Sequence, residues 1–165
     1  MEIIVEKLTD YDLMNYACAS TTGGKTPNID PYALYKSEHS PIRTQVFWVI
    51  MRDIPTFVSV HLVRHKFGVE HFVRSNRPDR GGDAEVNRMT PVTHVMFINA
   101  QALINMARKR LCNKASTETR TVMREMWAGV QLVDGHLARA MIPDCEYRGG
   151  CYELKSCGRY PLRGE

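Results

Sequence analysis

No stretch restricts the fold of this chain more than IRTQVFWVIM, residues 42–51. Val, Ile, Phe and Trp suit a pleated surface and lose side-chain freedom in a helix, so the run is predicted as a strand. Ser37-Glu38-His39-Ser40-Pro41 turns the chain into it, and Arg52-Asp53-Ile54-Pro55 turns the chain out. No apolar run approaches the roughly eighteen residues of a membrane span. The opening MEIIVEKL does not read as a signal peptide, so a cytoplasmic location without a membrane partner is expected.

Other elements follow from local pattern. Residues 1–8 alternate about Ile3-Ile4-Val5 and read as a strand. Thr9 or Asp10 can cap a helix to about residue 19. TTGGKTP is loop, and its Gly23-Gly24-Lys25 lacks the full phosphate-loop spacing. Asp30-Pro31 opens a short helix to about Lys36. After Pro55 a helix is expected to carry Phe57, Val58, Val60 and His61, giving way near Arg64 to an extended segment with Glu70, Phe72 and Val73. Residues 78–88 are a polar loop. Thr90-Pro91 reads as the start of a long helix over 92–112, with Val95, Phe97, Ile98, Leu103, Ile104 and Met106 at helical spacing. A second long helix is expected over 116–140, with the stripe Val122, Met126, Val130 and Val133, ended by Pro143. At 165 residues one core suffices. The expected fold is α+β, a small antiparallel sheet with long helices, spanning residues 1–143 and followed by a cysteine-containing tail, 144–165.

The chemistry concentrates in HLVRHKFGVEHFVRSNRPDR, residues 61–80, where Arg64, Lys66, Arg74, Arg77 and Arg80 join His61, His65 and His71. Such a run is either a solvated basic face or an anion site. Guanidinium groups at a rigid helix end can fork onto phosphate oxygens. The net charge of +4 and pI near 8.9 agree with anionic partners without choosing among them. For nucleic acid the interleaved aromatics are few, only Phe67 and Phe72, so a nucleic-acid-binding module is the weaker reading. Singly, each of these residues reads as structural as readily as functional.

Arg64-His65-Lys66 with Ser75-Asn76-Arg77 resembles the signature of the flavin-dependent thymidylate synthases, Arg-His-Arg-x-x-Ser-x-x-x-x-Ser-x-Arg. Lys66 stands at the third position, Val69 at the first Ser, and one extra residue precedes Ser75. A second block resembles the same family's late helix pair: Asn99, Asn105, Arg110, Ala115, Glu118 and Arg120 fall in register without a gap, with Gln101 in place of an Arg. Arg43-Thr44 stands where the family usually has Glu-His, and His61 where it has Gln. Arg88, ahead of Pro91, corresponds to a substrate-binding Arg.

The resemblance implies reductive methylation of dUMP to dTMP, with carbon from methylenetetrahydrofolate and hydride from FAD reduced by NADPH, in a homotetramer with shared active sites. It places Arg64, His65, Lys66, Asn99, Gln101 and Asn105 at FAD. His61, Arg64, Ser75, Arg77, Arg88 and Arg110 fall at dUMP. Arg110 would be the catalytic cation beside the uracil, favouring negative charge on the ring. Related readings are a member that transfers another one-carbon group, or one without activity.

Five cysteines are an odd number, against a closed disulfide framework. Cys145, Cys151 and Cys157 recur every sixth residue, and Gly149-Gly150 would let the chain fold back. A structural zinc site, with Cys112, His136 or a residue of another subunit as a fourth ligand, and three idle thiols are the two readings of that spacing.

Overall fold

The computed structural model describes residues 1–24, 29–82 and 85–163. Four strands form one antiparallel sheet in the order β1-β2-β4-β3, where β1 is Glu2–Lys7, β2 Val46–Pro55, β3 Val69–Val73 and β4 Pro91–Asn99. The run that organises the sequence is therefore a central strand. β2 bulges between Met51 and Ile54, and Asp53 there adopts a left-handed conformation (φ 56°). Three helices precede the second half of the sheet: α1 (Tyr11–Thr21), capped by the Asp10 carboxylate, α2 (Pro31–Ser37), capped by Asp30, and α3 (Thr56–Leu62). The expected 21–27 loop lies partly outside the described residues.

The structure corrects the expected helix over 92–112. Residues 91–99 are strand β4, and only then does α4 (Ala100–Arg110) begin. Val92, His94, Met96 and Ile98 are buried while their neighbours are more open, a period of two. Val95, Phe97 and Ile98 were countable as helical only because consecutive β-branched and aromatic residues fit either template over a short run. Pairing with β2 on one side and β3 on the other decides the matter. The expected helix over 116–140 is likewise two helices, α5 (Thr117–Val133) and α6 (Gly135–Ala140), broken at Asp134. A short α7 (Asp144–Arg148) starts the tail. Among the described residues no helix is long and apolar enough to cross a membrane.

Phe47, Val49, Met51, Met96 and Ile98 carry one sheet face into the core with Leu103, Met106, Val122 and Met126 of the helices. α5 lies so close to β1 that a Cβ at Gly129 would meet Val5 Cγ2 at 2.6 Å. The other face presents Ile4, Trp48, Ile50, Phe72, Val95 and Phe97. Phe72 and Phe97 are 53% and 43% exposed, so this face is apolar yet open.

Asp134 fastens the layers together. Its carboxylate, fully buried, accepts from Lys7 Nζ at 2.8 Å, Tyr11 Oη at 2.7 Å, Tyr35 Oη at 2.8 Å and the Leu137 N–H at 3.0 Å. Burial pushes the carboxyl pKa up, but Lys7, the Leu137 amide and the two phenols outweigh it and hold it below its ordinary value. A carboxyl depressed by folding contributes stability above its unfolded pKa, lost as pH falls through the folded value. Asp134→Asn is expected to cost about 3 kcal/mol, because Lys7 loses its buried partner. In denaturant titrations the gap from wild type should be widest near neutrality and close in acid below about pH 4.

Candidate functional site

α3 ends at Leu62, and the chain turns through Val63, Arg64 and His65 with the His65 N–H on the Leu62 carbonyl at 3.0 Å. Arg64 thus stands just beyond the helix. Gly68 follows with φ 74°, and a Cβ there would lie 2.5 Å from Asn99 Nδ2, so the position admits glycine alone. The Gly68 carbonyl accepts the Asn99 N–H at 2.9 Å. Asn99 ends β4 and caps α4, accepting the Ala102 N–H at 2.9 Å. The start of α4 is thereby clamped against the 64–68 turn.

Between them opens a cavity of about 200 Å³ lined by Arg64, His65, Lys66, Phe67, Ala102 and Asn105. The structure therefore unites two segments that the sequence separates. Phe67, 91% exposed, stands at its edge. Arg110, from the last turn of α4, reaches beneath: its Nε donates to His65 Nε2 at 3.1 Å and an Nη donates to the His61 carbonyl at 2.7 Å. Burial, then Arg64, make Arg110 less basic than usual. His61 Nδ1 lies 3.0 Å from Thr119 Oγ1 on α5, and burial followed by Arg110, Arg64 and Arg88 lowers its pKa. Arg88 stacks over Phe57 at 4.5 Å beside α3. Arg64 and Lys66 thus line the cavity, and Arg110 is bonded to its wall through His65.

Gln101 and Asn105 belong to a second polar set. Gln101 donates to Glu38 at 2.6 Å, Arg108 ion-pairs with the same carboxylate, and Asn105 Oδ1 accepts from Arg108 at 3.4 Å. Glu38 and Arg108 also line a larger cavity, about 420 Å³, with Tyr32, Tyr35, Arg139 and Tyr147. Ser75 and Arg77 are not drawn to the smaller cavity within this chain. Ser75 Oγ accepts the Arg77 N–H at 3.3 Å, and the exposed Arg77 forks onto Asp79 at 2.9 and 2.7 Å.

Sequence reasoning missed Ser59, His94, Gly68 and Glu38. Ser59 and His94 are buried and bonded to each other at 3.0 Å. Alternation along β4 was the signal that would have placed His94 inside.

The tail thiols gather near Cys112. Cys112, Cys145, Cys151 and Cys157 do line one small cavity of about 20 Å³, with the Lys114 N–H on Cys112 Sγ at 3.5 Å. All five thiols are free. Among the described residues, however, no three His, Cys, Asp or Glu side chains are placed to hold a metal ion. Cys151 is buried and Cys157 exposed, and the Cys151 backbone pairs with Pro161 and Arg163.

The sheet order and surrounding helices define the class of the fold: it is that of the flavin-dependent thymidylate synthases. The ThyX enzyme of Helicobacter pylori, complexed with FAD and dUMP, matches at TM-score 0.70 and 13% identity over 86% of this chain and 100% of that one. A second structure of that enzyme with FAD and dUMP gives 0.69 and 14%, over 88% of this chain and 98% of that one. The UMP/dUMP methylase PolB of Streptomyces cacaoi, bound with 5-Br dUMP, gives 0.64 and 15%, over 84% and 94%. At such identities the likeness is one of fold. No family model and no curated protein matches the sequence.

Two predictions come from this geometry. Gly68→Ala is expected to cost about 2 kcal/mol in denaturant unfolding, through left-handed strain and displacement of the Asn99 cap. His65 and His94 are both held down to about 4, chiefly by burial, then by Arg110 for His65 and by His71 for His94. A depressed histidine contributes stability above its unfolded pKa, lost on acidification. Stability should therefore fall from about pH 6.5 toward pH 4, and pH-dependent chemical melts would measure the slope.

Proposed function

We propose that this chain binds FAD and dUMP and catalyses the reductive methylation of dUMP to dTMP in the cytoplasm, as a homo-oligomer, with methylenetetrahydrofolate as carbon donor and NADPH as reductant. The observation that carries the reading is the convergence of Arg64, His65, Lys66 and Asn105 on one cavity, with Arg110 anchored beneath it. The donor set fits the cofactor: two permanent cations suit phosphate oxygens, Asn105 offers both a donor and an acceptor to a ring edge, and Phe67 offers a flat apolar contact. Bound flavin would supply the hydride that no side chain here can supply.

In this reading Arg64 and Lys66 hold phosphate, and His65, kept neutral, offers a hydrogen bond. Asn99 braces the wall while Asn105 orients the ring. Gln101 is tied to Glu38 and acts by keeping Asn105 in place. Arg110 uses two donors to hold the 61–65 turn. The rest of its fork remains to favour negative charge on a pyrimidine as it reacts. His61 and Arg88 extend the positive surface for dUMP. Ser75 and Arg77 would bind the dUMP phosphate contributed to a neighbouring subunit's site, since they do not reach the cavity of their own chain.

Shared sites have a physical rationale. A cavity of about 200 Å³ is small for a dinucleotide, as sites for drug-sized ligands span roughly 300–1,000 Å³. The open apolar sheet face offers the surface for association. A tetramer is the assembly proposed. A related reading keeps the site and widens the acceptor, since PolB is a UMP/dUMP methylase.

Purified protein titrated with FAD is expected to show a bound-flavin spectrum that shifts on adding dUMP. Arg64→Ala should weaken FAD at least about tenfold, the loss of a charge-assisted hydrogen bond. A protein that binds neither ligand would overturn the proposal, and a spectrum answering equally to UMP would favour the wider acceptor. Phe97→Lys is expected to shift light scattering toward smaller species while the fold persists; unchanged mass would remove the sheet face as an interface.

A further inference from the structure

Behind the cavity runs a partly buried chain of polar groups that the proposed reaction does not use. Ser59 Oγ lies 3.0 Å from His94 Nδ1, His94 Nε2 lies 2.9 Å from His71 Nδ1, and His71 Nε2 lies 2.8 Å from the His65 carbonyl. The chain joins α3, β4 and β3 to the turn that forms the cavity wall. His94 is fully buried and Ser59 nearly so.

The terminal carbonyl fixes the direction of every bond. A carbonyl only accepts, so His71 Nε2 carries a proton. In a neutral imidazole His71 Nδ1 is then an acceptor, which requires a proton on His94 Nε2. His94 Nδ1 is an acceptor in turn, and the Ser59 hydroxyl donates to it. No other arrangement of neutral rings satisfies all three contacts, and an unmatched buried group would be costly. The far side of the turn obeys the same logic. Arg110 donates to His65 Nε2, and a guanidinium cannot accept, so His65 carries its single proton on Nδ1.

We propose that His71 and His94 are positioning residues for the cavity: with Ser59 they form a one-way hydrogen-bond chain that holds the His65 backbone while Arg110 holds its ring, leaving His65 Nδ1–H as a fixed donor to an acceptor oxygen of the bound ligand. The inference rests on the FAD reading for the ligand but not for the chain itself. Burial keeps His65 and His94 neutral near pH 7, as the arrangement requires. Anchoring both sides of a short turn removes the freedom it would otherwise lose on binding.

Nitrogen-15 correlation spectra of the imidazoles in the full-length protein at pH 7 test the chain directly. His71 and His94 should be Nε2–H tautomers and His65 the Nδ1–H tautomer. A His71 protonated on Nδ1 overturns the proposal whether or not FAD binds. FAD titration tests the positioning. His71→Leu should weaken FAD at least about tenfold, whereas His71→Gln, whose amide supplies one donor and one acceptor, should stay within about threefold of wild type. Ser59→Ala removes one hydroxyl with little change in volume and should weaken FAD in the same direction, which guards against misfolding of the leucine variant. Wild-type affinity in His71→Leu and Ser59→Ala overturns the positioning role. A wild-type protein with the expected tautomers that binds no FAD would sink the flavin reading and, with it, the assigned ligand.

Discussion

A carboxylate without water holds this fold together. Asp134 sits at the break between α5 and α6, and its two oxygens take a lysine from β1, phenols from α1 and α2, and the Leu137 amide in the first turn of α6. Burying an ion is unfavourable unless its lone pairs are filled by good donors. Here the donors come from distant parts of the chain, so the cost of burial becomes a demand for one arrangement of those parts. The N-terminal strand and two flanking helices are fixed against the helical layer by that demand. The apolar contacts around them supply the bulk of the driving force but less of the specificity.

The site inherits its rigidity from a second junction of the same kind. Where β4 passes into α4, Asn99 both ends the strand and caps the helix, and Gly68 lets the neighbouring turn lie directly upon it. α4 leaves this point and returns Arg110 beneath the turn in its last residue. Two ends of one helix therefore grip a single loop. The cations Arg64 and Lys66 are held at that loop without partners that would neutralise them among the bonds described, which is the condition for receiving an anion rather than filling an internal pair.

The sheet is finished on one face only. Ile4, Trp48, Ile50, Phe72, Val95 and Phe97 would be core residues if something lay over them. The same strand edges carry the loop with Ser75 and Arg77 away from the cavity. An open apolar face and a cavity that Ser75 and Arg77 do not line occur on the same chain. Glu6 and Glu70 stand level with Trp48 and Phe97 on this face, so the polar residues usual for a wetted sheet are kept at its edge strands and lost at its centre.

Local chemistry made much of the molecule legible in the sequence. Asp10 and Asp30 are short acceptors whose capping role depends only on their own backbone, and β1, β2, α1, α2 and α5 could be read from such signals and from period. The Arg64-His65-Lys66 group and the late Asn99–Arg110 block could be recognised as belonging together by their order. Three things lay beyond that reach. Residues 91–99 read as helix because a short apolar run satisfies two periodicities, and only pairing on both sides with β2 and β3 selects the strand. The break falls at Asp134, on which Lys7, Tyr11 and Tyr35 converge from positions remote in sequence. The burial of His94, and with it the direction of protons from Ser59 to the His65 carbonyl, arises where three elements cross. Sequence determined which groups could accept, donate or carry charge; tertiary structure decided which of them lost water, and in a dry interior that loss sets their chemistry.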